Sequence, residues 1–378
     1  MSLSIKPKRP ANNRTNTLFV SATDMMSMVS RAGLASTIRR IASRIESDYR
    51  RWPEFDKKAR IASDCPTGTI ELMPVADAQH FAFKYVNGHP DNTESRIATV
   101  MAFGVLADVA TGAPRFLSEL TLTTAIRTAA MSALAARRLA RANSRSMAMI
   151  GNGAQSEFQA LAFRDLLGIR ELRLYDRDPL ASEKLARNLA NESFTLVRCD
   201  SIAKAVQGAD IVTTITADKS NAIILTPDMI EPGMHINAVG GDYPGKTELH
   251  PAILLRADAR VFVEYEPQTR IEGEIQQMAP DFPVVEYWRL LDPAQITPGR
   301  LSDTEVTIFD SVGFALEDFS ALCEMQAMAQ EFGMGRLIDL VPQTADPKDL
   351  FGELMATGSA ASPARIRQAD EPMLAPAF

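Results

Sequence analysis

The segment Ser146–Ser156, SMAMIGNGAQS, limits the folds open to this chain more than any other. An apolar strand runs straight into Gly151-Asn-Gly153-Ala-Gln-Ser156, a G-x-G-x-x-S turn with Ser in place of the third glycine. A helical pattern, SEFQALAFRDLLG, follows, and then a second strand, LRLYD, ending at Asp176. In this order Gly151 permits the tight turn and Gly153 lets backbone N–H groups approach a pyrophosphate, with a helix N-terminus behind them. Asp176 lies 25 residues beyond Gly151, near the offset of an acid that binds an adenine ribose. A carboxylate there favours NAD over NADP, because it repels a 2′-phosphate. Arg177 beside it keeps that preference open. A glycine turn in a non-binding α/β domain is the competing reading, and the strand–turn–helix–strand context weighs against it.

The texture on either side of residue 146 differs. After it, IVTTIT, HINAVG and RVFVEY are short apolar strands, and LASEKLARNLA is helical. Strand alternating with helix predicts a doubly wound parallel sheet. Before it, LASTIRRIASRIESDYRRWPEF predicts a helix, with Leu34, Ile38, Ile41 and Ile45 at helical spacing and Pro53 as its stop. Strands TGTIELMP, HFAFKYV, IATVMAFGVLAD and PRFLSEL follow, the last two joined by VATGA. In HFAFKYV the residues Phe81, Phe83 and Tyr85 face one way and Ala82, Lys84 and Val86 the other. TTAIRTAAMSALAARRLAR predicts a helix with Thr capping candidates, and FALEDFSALCEMQAMAQEFG a long closing helix. Residues 1–15 and 356–378 read as tails.

Composition narrows the function. Of 378 residues, 46% are apolar and 23% charged, as in a soluble globular protein large enough for two domains. The net charge of −7 argues against a nucleic-acid binder, which needs a basic face. Residues 1–60 nevertheless carry 13 Lys/Arg against 5 Asp/Glu, an imbalance that suits either a solvated arm or an anionic partner. Cys65, Cys199 and Cys323 are far apart and the four histidines form no HExxH pair, so no metal is expected. No apolar run reaches the roughly 18–20 residues of a membrane helix, and the N-terminus lacks an apolar signal core, so a cytoplasmic protein is expected. A second loop, His235-Ile-Asn237-Ala-Val-Gly240-Gly241-Asp242-Tyr-Pro-Gly245-Lys246, follows a strand of the second half. Its glycines suit close passage beside a flat ring. Asp242 reads either as an acid beside that ring or as a turn former.

Six ordered motifs, GTIELMP, KYVNGHPDN, LTTAIRTAAMSALAA, IGNGAQS, INAVGGDYPGKTELH and DSVGFALEDF, resemble the ornithine cyclodeaminase/mu-crystallin family over roughly residues 50–345. VFVEYEPQTRIEGEIQQ resembles the bacterial ornithine cyclodeaminases within it. The resemblance implies an α/β fold, a Rossmann-type sheet (136–313) inserted into an α+β substrate-binding and dimerisation domain (16–135 with 314–355). It implies a homodimer that takes NAD and a small amino acid. Arg60, Lys84 and Arg127 would hold the substrate α-carboxylate, and Glu71 would face the distal amine. Asp242 would be the catalytic acid/base, and Val312 would lie at the substrate. Thr99, Arg127, Ala154, Gln155, Asp176, Thr216, Ile236, Asn237, Ala238, Val239, Lys246 and Ser311 would contact NAD.

The residues support these roles independently. A carboxylate calls for cations, and Arg offers a planar two-pronged fit. Lys84 sits mid-strand between apolar neighbours, so its charge needs a partner, and Glu71 between Ile70 and Leu72 raises the same question. The implied reaction converts L-ornithine to L-proline and ammonia. The rivals are a lysine cyclodeaminase, an amino-acid dehydrogenase or ketimine reductase on the same fold, and a non-catalytic cofactor-binding protein.

Overall fold

The computed structural model describes residues 16–217 and 222–358. The tail expected at 1–15 lies outside the described residues, as does the tail expected at 356–378 from residue 359 on; residues 356–358 instead end a helix that begins at Leu350. The described residues fall into two compact units, Asn16–Ile338 and residues 339–358.

The large unit opens with β1 (Thr17–Val20), α1 (Ala22–Ala32) and α2 (Leu34–Arg50). Next come β2 (Asp56–Lys57), β3 (Ile61–Cys65), β4 (Gly68–Ala76), β5 (His80–Gly88), β6 (Ala102–Asp108) and β7 (Pro114–Glu119). α3 (Thr121–Leu139) leads into β8 (Ser146–Ile150), α4 (Ser156–Leu167), β9 (Glu171–Tyr175), α5 (Pro179–Asn188), β10 (Thr195–Arg198), α6 (Ile202–Val206) and β11 (Ile211–Thr214). β12 (His235–Ala238), α7 (Pro251–Leu254), β13 (Ala259–Val263), α8 (Glu266–Glu272), β14 (Val285–Glu286) and β15 (Val306–Asp310) follow. α9 (Ala315–Phe332) and β16 (Arg336–Ile338) complete the unit. The described part of the other unit carries α10 (Leu350–Gly358).

The strands form two sheets. The first runs β16-β1-β7-β6-β5-β4-β2, with β3 also on β4, and is antiparallel except where β1 meets β7. The second runs β10-β9-β8-β11-β12-β15-β13-β14 and is parallel throughout, the doubly wound sheet expected from the alternating pattern. Its chain order reverses direction between β8 and β11, and such switch points receive ligands at the carboxyl ends of the strands.

Residues along β8 alternate between two cores. Met147 and Met149 join the cluster of α2, α3, α4 and α9, while Ala148 and Ile150 join the one on the opposite face. α3 and α9 are the chain's two main crossings between the sheets. The alanines of α3, Ala129, Ala130, Ala133, Ala135 and Ala136, are wholly buried, so their small side chains let α2, α4 and α9 pack close around it.

α2 stops at Arg50, before Pro53, whose missing N–H could not extend it, and a 3₁₀ turn over Trp52–Glu54 follows. Two local expectations change. No Thr caps α3: its N-cap is Leu120, Glu119 Oε1 accepts the Leu122 N–H (2.9 Å), and Thr121 Oγ1 accepts the Ala102 N–H (3.0 Å). The strand expected from Ile97 begins only at Ala102, because Asn87 Oδ1 takes the Met101 N–H (2.7 Å) and holds the preceding residues as a loop.

Phe319 of α9 is fully buried and meets Phe55 edge-to-face at 5.2 Å. Phe319→Ala is expected to cost about 3–5 kcal/mol in urea unfolding, the range for emptying an aromatic core site. A loss under about 1 kcal/mol would contradict this packing.

Candidate active site

The inner face of the first sheet carries charge where its neighbours are apolar. Ala82, Lys84 and Val86 of β5 are buried, and the aromatic face of Phe81, Phe83 and Tyr85 is the more open one. A lysine buried this deeply must be paired. Lys84 Nζ lies 3.0 and 2.9 Å from the two Asp318 oxygens. Arg127 of α3 donates Nε to the same Asp318 (2.9 Å) and Nη1 to Glu317 (2.7 Å), and the Tyr49 hydroxyl donates to the other Glu317 oxygen (3.1 Å). Burial, assisted by Arg127, brings Lys84 down to about 8 despite Asp318. Burial drives Glu317 up from the ordinary carboxyl range, against the pull of Arg127.

Arg60, between β2 and β3, forms the second cluster. Its Nη1 donates to Glu71 on β4 (3.0 Å), and its Nη2 to the carbonyls of Val312 and Gly313. Nε lies 2.8 Å from Glu272 Oε1 at the end of α8. Asp242 adds its charge to this group, and its own carboxylate is 55% exposed, with Lys246 Nζ 3.6 Å away. Tyr243, next in the loop, is hydrogen-bonded to Asp64 of β3, which ties the Asp242 loop to the first sheet. Arg60, Glu71, Asp242 and the Val312 carbonyl therefore converge at one place, and Lys84 with Arg127 at an adjoining one, linked through residues 312–318.

The glycine turn stands at the switch point. Gly151 has φ +97°, and a Cβ there would lie 2.7 Å from the Ile215 carbonyl oxygen, so only glycine fits. A Cβ on Gly153 would meet nothing within 4 Å, which leaves the turn open above it. Ala154 is exposed beside it, and the buried Oε1 of Gln155 has no hydrogen-bond partner. Asp176 accepts N–H groups from Asn152 (2.6 Å) and Asp178 (2.8 Å), so it braces the turn as well as standing at its ribose position. Ile236, Asn237 and Ala238 are buried in β12, with Asn237 Oδ1 unpartnered, and Val239 N–H bonds to Thr214. Lys246 Nζ donates to the Thr216 carbonyl (2.7 Å). Ser311 Oγ donates to Glu264 (2.5 Å). Thr99 lies on the β5–β6 loop, where its carbonyl accepts the His89 N–H (2.9 Å) within the first sheet.

Two sequence inferences need revision. Gly240 and Gly241 make room for carboxylates: a Cβ on Gly240 would lie 2.1 Å from Glu248 Oε1, and one on Gly241 2.5 Å from Glu274 Oε1. The cations expected to await a substrate carboxylate also already have partners. Glu317, Asp318, Glu272 and Glu264 went unassigned, although the acidic pair Glu317-Asp318 interrupts an otherwise apolar run in DSVGFALEDF.

A parallel sheet with an open glycine turn at its switch point, joined to a sheet with buried charge, defines a dinucleotide-binding α/β protein for a small charged ligand. The family model described as "Ornithine cyclodeaminase/mu-crystallin family" matches residues 22–331. An ornithine cyclodeaminase of Agrobacterium fabrum is 55% identical over 337 residues, 89% of this chain and 94% of that protein. A lysine cyclodeaminase, solved to show its recognition of L-lysine, L-ornithine and L-2,4-diaminobutyric acid, superposes with a TM-score of 0.83 at 29% identity, over 89% of this chain and 99% of that one. An archaeal alanine dehydrogenase dimer with bound NAD gives 0.78 at 28% identity, over 86% of this chain and all of that one. The chain belongs to the ornithine cyclodeaminase/mu-crystallin family.

The buried acids make stability depend on pH. Glu272 is pushed up to about 8, mainly by burial, from an ordinary 4.5, so the folded state holds more protons than the unfolded across that interval. Stability falls as pH rises through it. His235, lowered to about 3 from 6.5 by burial, works the other way but is spent above pH 6.5. The ligand-free protein should therefore melt lower at pH 8 than at pH 6.5. Glu272 contributes at most about 2 kcal/mol of that difference, and Glu272→Gln should flatten the slope. A melting temperature that rises over this window would contradict the burial of these acids.

Proposed function

We propose that the protein is an ornithine cyclodeaminase, converting L-ornithine to L-proline and ammonia with NAD as a recycled cofactor. One observation carries the reading: a buried cation cluster for an α-carboxylate adjoins two carboxylates, Glu71 and Asp242, suited to two amines. The identity to the Agrobacterium enzyme supports it. The residues at the switch point fit NAD: the open space above Gly153, at the start of α4, suits a pyrophosphate held by backbone N–H groups, and the Asp176 carboxylate with the unpartnered Gln155 and Asn237 oxygens offers acceptors for hydroxyl and amide N–H groups of the dinucleotide. Gly151, Gly153, Ala154, Gln155, Asp176, Thr216, residues 236–239, Lys246 and Ser311 would hold it. Bound there, NAD supplies a hydride acceptor for the substrate α-carbon and a donor for the closed ring.

The chain's own residues do the rest. Lys84, Arg127 and Arg60 bind the α-carboxylate, exchanging part of their contact with Asp318, Glu317 and Glu71 for it. Glu71 orients the distal amine. Asp242, more exposed than its neighbours, takes the α-amine proton and returns one to departing ammonia. With both ends fixed, ring closure is effectively intramolecular.

The same reading divides the large unit into a substrate part built on the first sheet and an inserted cofactor part built on the second. It includes a homodimer formed through the open face of the first sheet. Ile61, Leu72, Phe81 and Phe103 stand 40–64% exposed there, and Phe103 stacks on Tyr85 at 5.0 Å. Cys65, Cys199 and Cys323 form no disulfide, which accords with a reducing cytoplasm.

Enzyme given L-ornithine and substoichiometric NAD should release proline and ammonia in excess of the NAD, without NADH accumulating. Net NADH, or turnover of alanine or lysine in preference to ornithine, would overturn the assignment. Asp242→Asn should lose at least about a hundredfold in kcat while binding NAD normally. Phe103→Asp should shift the protein from dimer to monomer in sedimentation, and an unchanged dimer would refute the interface.

A further inference from the structure

The segment VFVEYEPQTRIEGEIQQ takes no part in the mechanism so far, yet it brings a carboxylate into the site. Glu272 ends α8 and is 3% exposed. Its Oε1 lies 2.8 Å from Arg60 Nε but out of line with the N–H, so neither atom has a hydrogen-bond partner. Arg60 spends its aligned donors elsewhere, on Glu71 and on the Val312 and Gly313 carbonyls. A buried carboxylate oxygen is thus left with a charge beside it and no donor aimed at it, an arrangement that costs free energy until a donor arrives.

Charge balance says what kind of donor is missing. In this half of the site two cations, Arg60 and Lys246, face three acids, Glu71, Glu272 and Asp242, so ionising Glu272 leaves it one cation short. In the other half Lys84 and Arg127 are matched by Glu317 and Asp318. The deficit of one positive charge lies beside Arg60 and Glu71. A monoamino acid is a neutral zwitterion and leaves it standing. A diamino acid brings one further ammonium and cancels it.

The geometry points to Glu272 as a specificity-determining residue: with Glu71, it receives the distal ammonium of the substrate. This rests on the ornithine reading above and names the residue that makes the site prefer a diamine. Burial and the charges of Glu71, Asp242 and Glu264 hold the ligand-free Glu272 carboxyl up at about 8 against the pull of Arg60. An arriving ammonium therefore meets an acid that releases its proton to solvent on binding and pairs as the carboxylate. A positioning role for Glu272 toward Arg60 alone makes a different forecast, because Arg60 serves the α-carboxylate, which every amino acid carries.

The test compares L-ornithine with L-norvaline, the same chain without the distal amine, on NAD-loaded full-length enzyme. Glu272→Gln should raise the ornithine KM at least about tenfold, change kcat by less than about threefold, and leave the norvaline inhibition constant within about twofold of wild type. Glu272→Asp, which keeps the charge, should recover part of the ornithine KM. Equal weakening of ornithine and norvaline would make Glu272 a support for Arg60 and overturn the proposal, as would an unchanged ornithine KM. If instead the wild-type enzyme makes no proline from ornithine, the functional reading itself fails, and the two failures are told apart.

Discussion

Asp318 holds the molecule's two halves to one geometry. Its Oδ1 accepts from both Lys84, in the middle of the first sheet, and Arg127 of α3, while its own helix, α9, follows directly from β15 of the second sheet. Charges this deep are tolerated only when paired, and removing one partner of such a set costs roughly 3–5 kcal/mol. The network thus fixes how β5, α3 and α9 meet, independently of any ligand. It also explains why the crossings between the sheets are helices packed through alanines: the backbones must come close for short acidic side chains to reach the cations.

Around that anchor the second sheet is finished by acids rather than by hydrophobic caps. Asp310 accepts the N–H groups of Glu274 and Ile275, Glu274 those of Glu248 and Leu249, and Glu264 those of Val312 and Gly313. Each turns a loop at the carboxyl end of a strand, where backbone donors would otherwise go unpaired. The loops bearing Thr216, Asp242 and Val312 are positioned this way. In the proposed enzyme that rigidity keeps the acid Asp242 at a set distance from a substrate held by Arg60, Lys84 and Arg127.

Much of the fold was legible because it rests on local pattern. The strand–turn–helix of residues 146–167 and the alternation after it required the parallel sheet, and the division of β5 into two faces followed from its period of two. The face was the harder matter: aromatic residues normally mark the inside, yet here Ala82, Lys84 and Val86 are inside and Phe81 is 40% exposed. Only a partner surface beyond the chain, the proposed dimer, gives that arrangement a reason. The cations of the site could be picked out by residue type and by resemblance. Their counter-ions could not, since Asp318 is 234 residues from Lys84 and Glu272 is 212 from Arg60 in sequence. Likewise Gly240 and Gly241 announced a close approach, but whether to a ring or to a carboxylate depended on where residues 248 and 274 folded back.

The central claim is that the paired cations Lys84 and Arg127, with Arg60, receive a substrate carboxylate. Calorimetric titration of the NAD-loaded Asp242→Asn variant with L-ornithine and with putrescine, which is ornithine lacking that carboxylate, tests it directly. The account predicts that ornithine binds at least about a hundredfold more tightly, the scale of a lost charge-assisted contact in a buried site. Equal affinity for the two would contradict it.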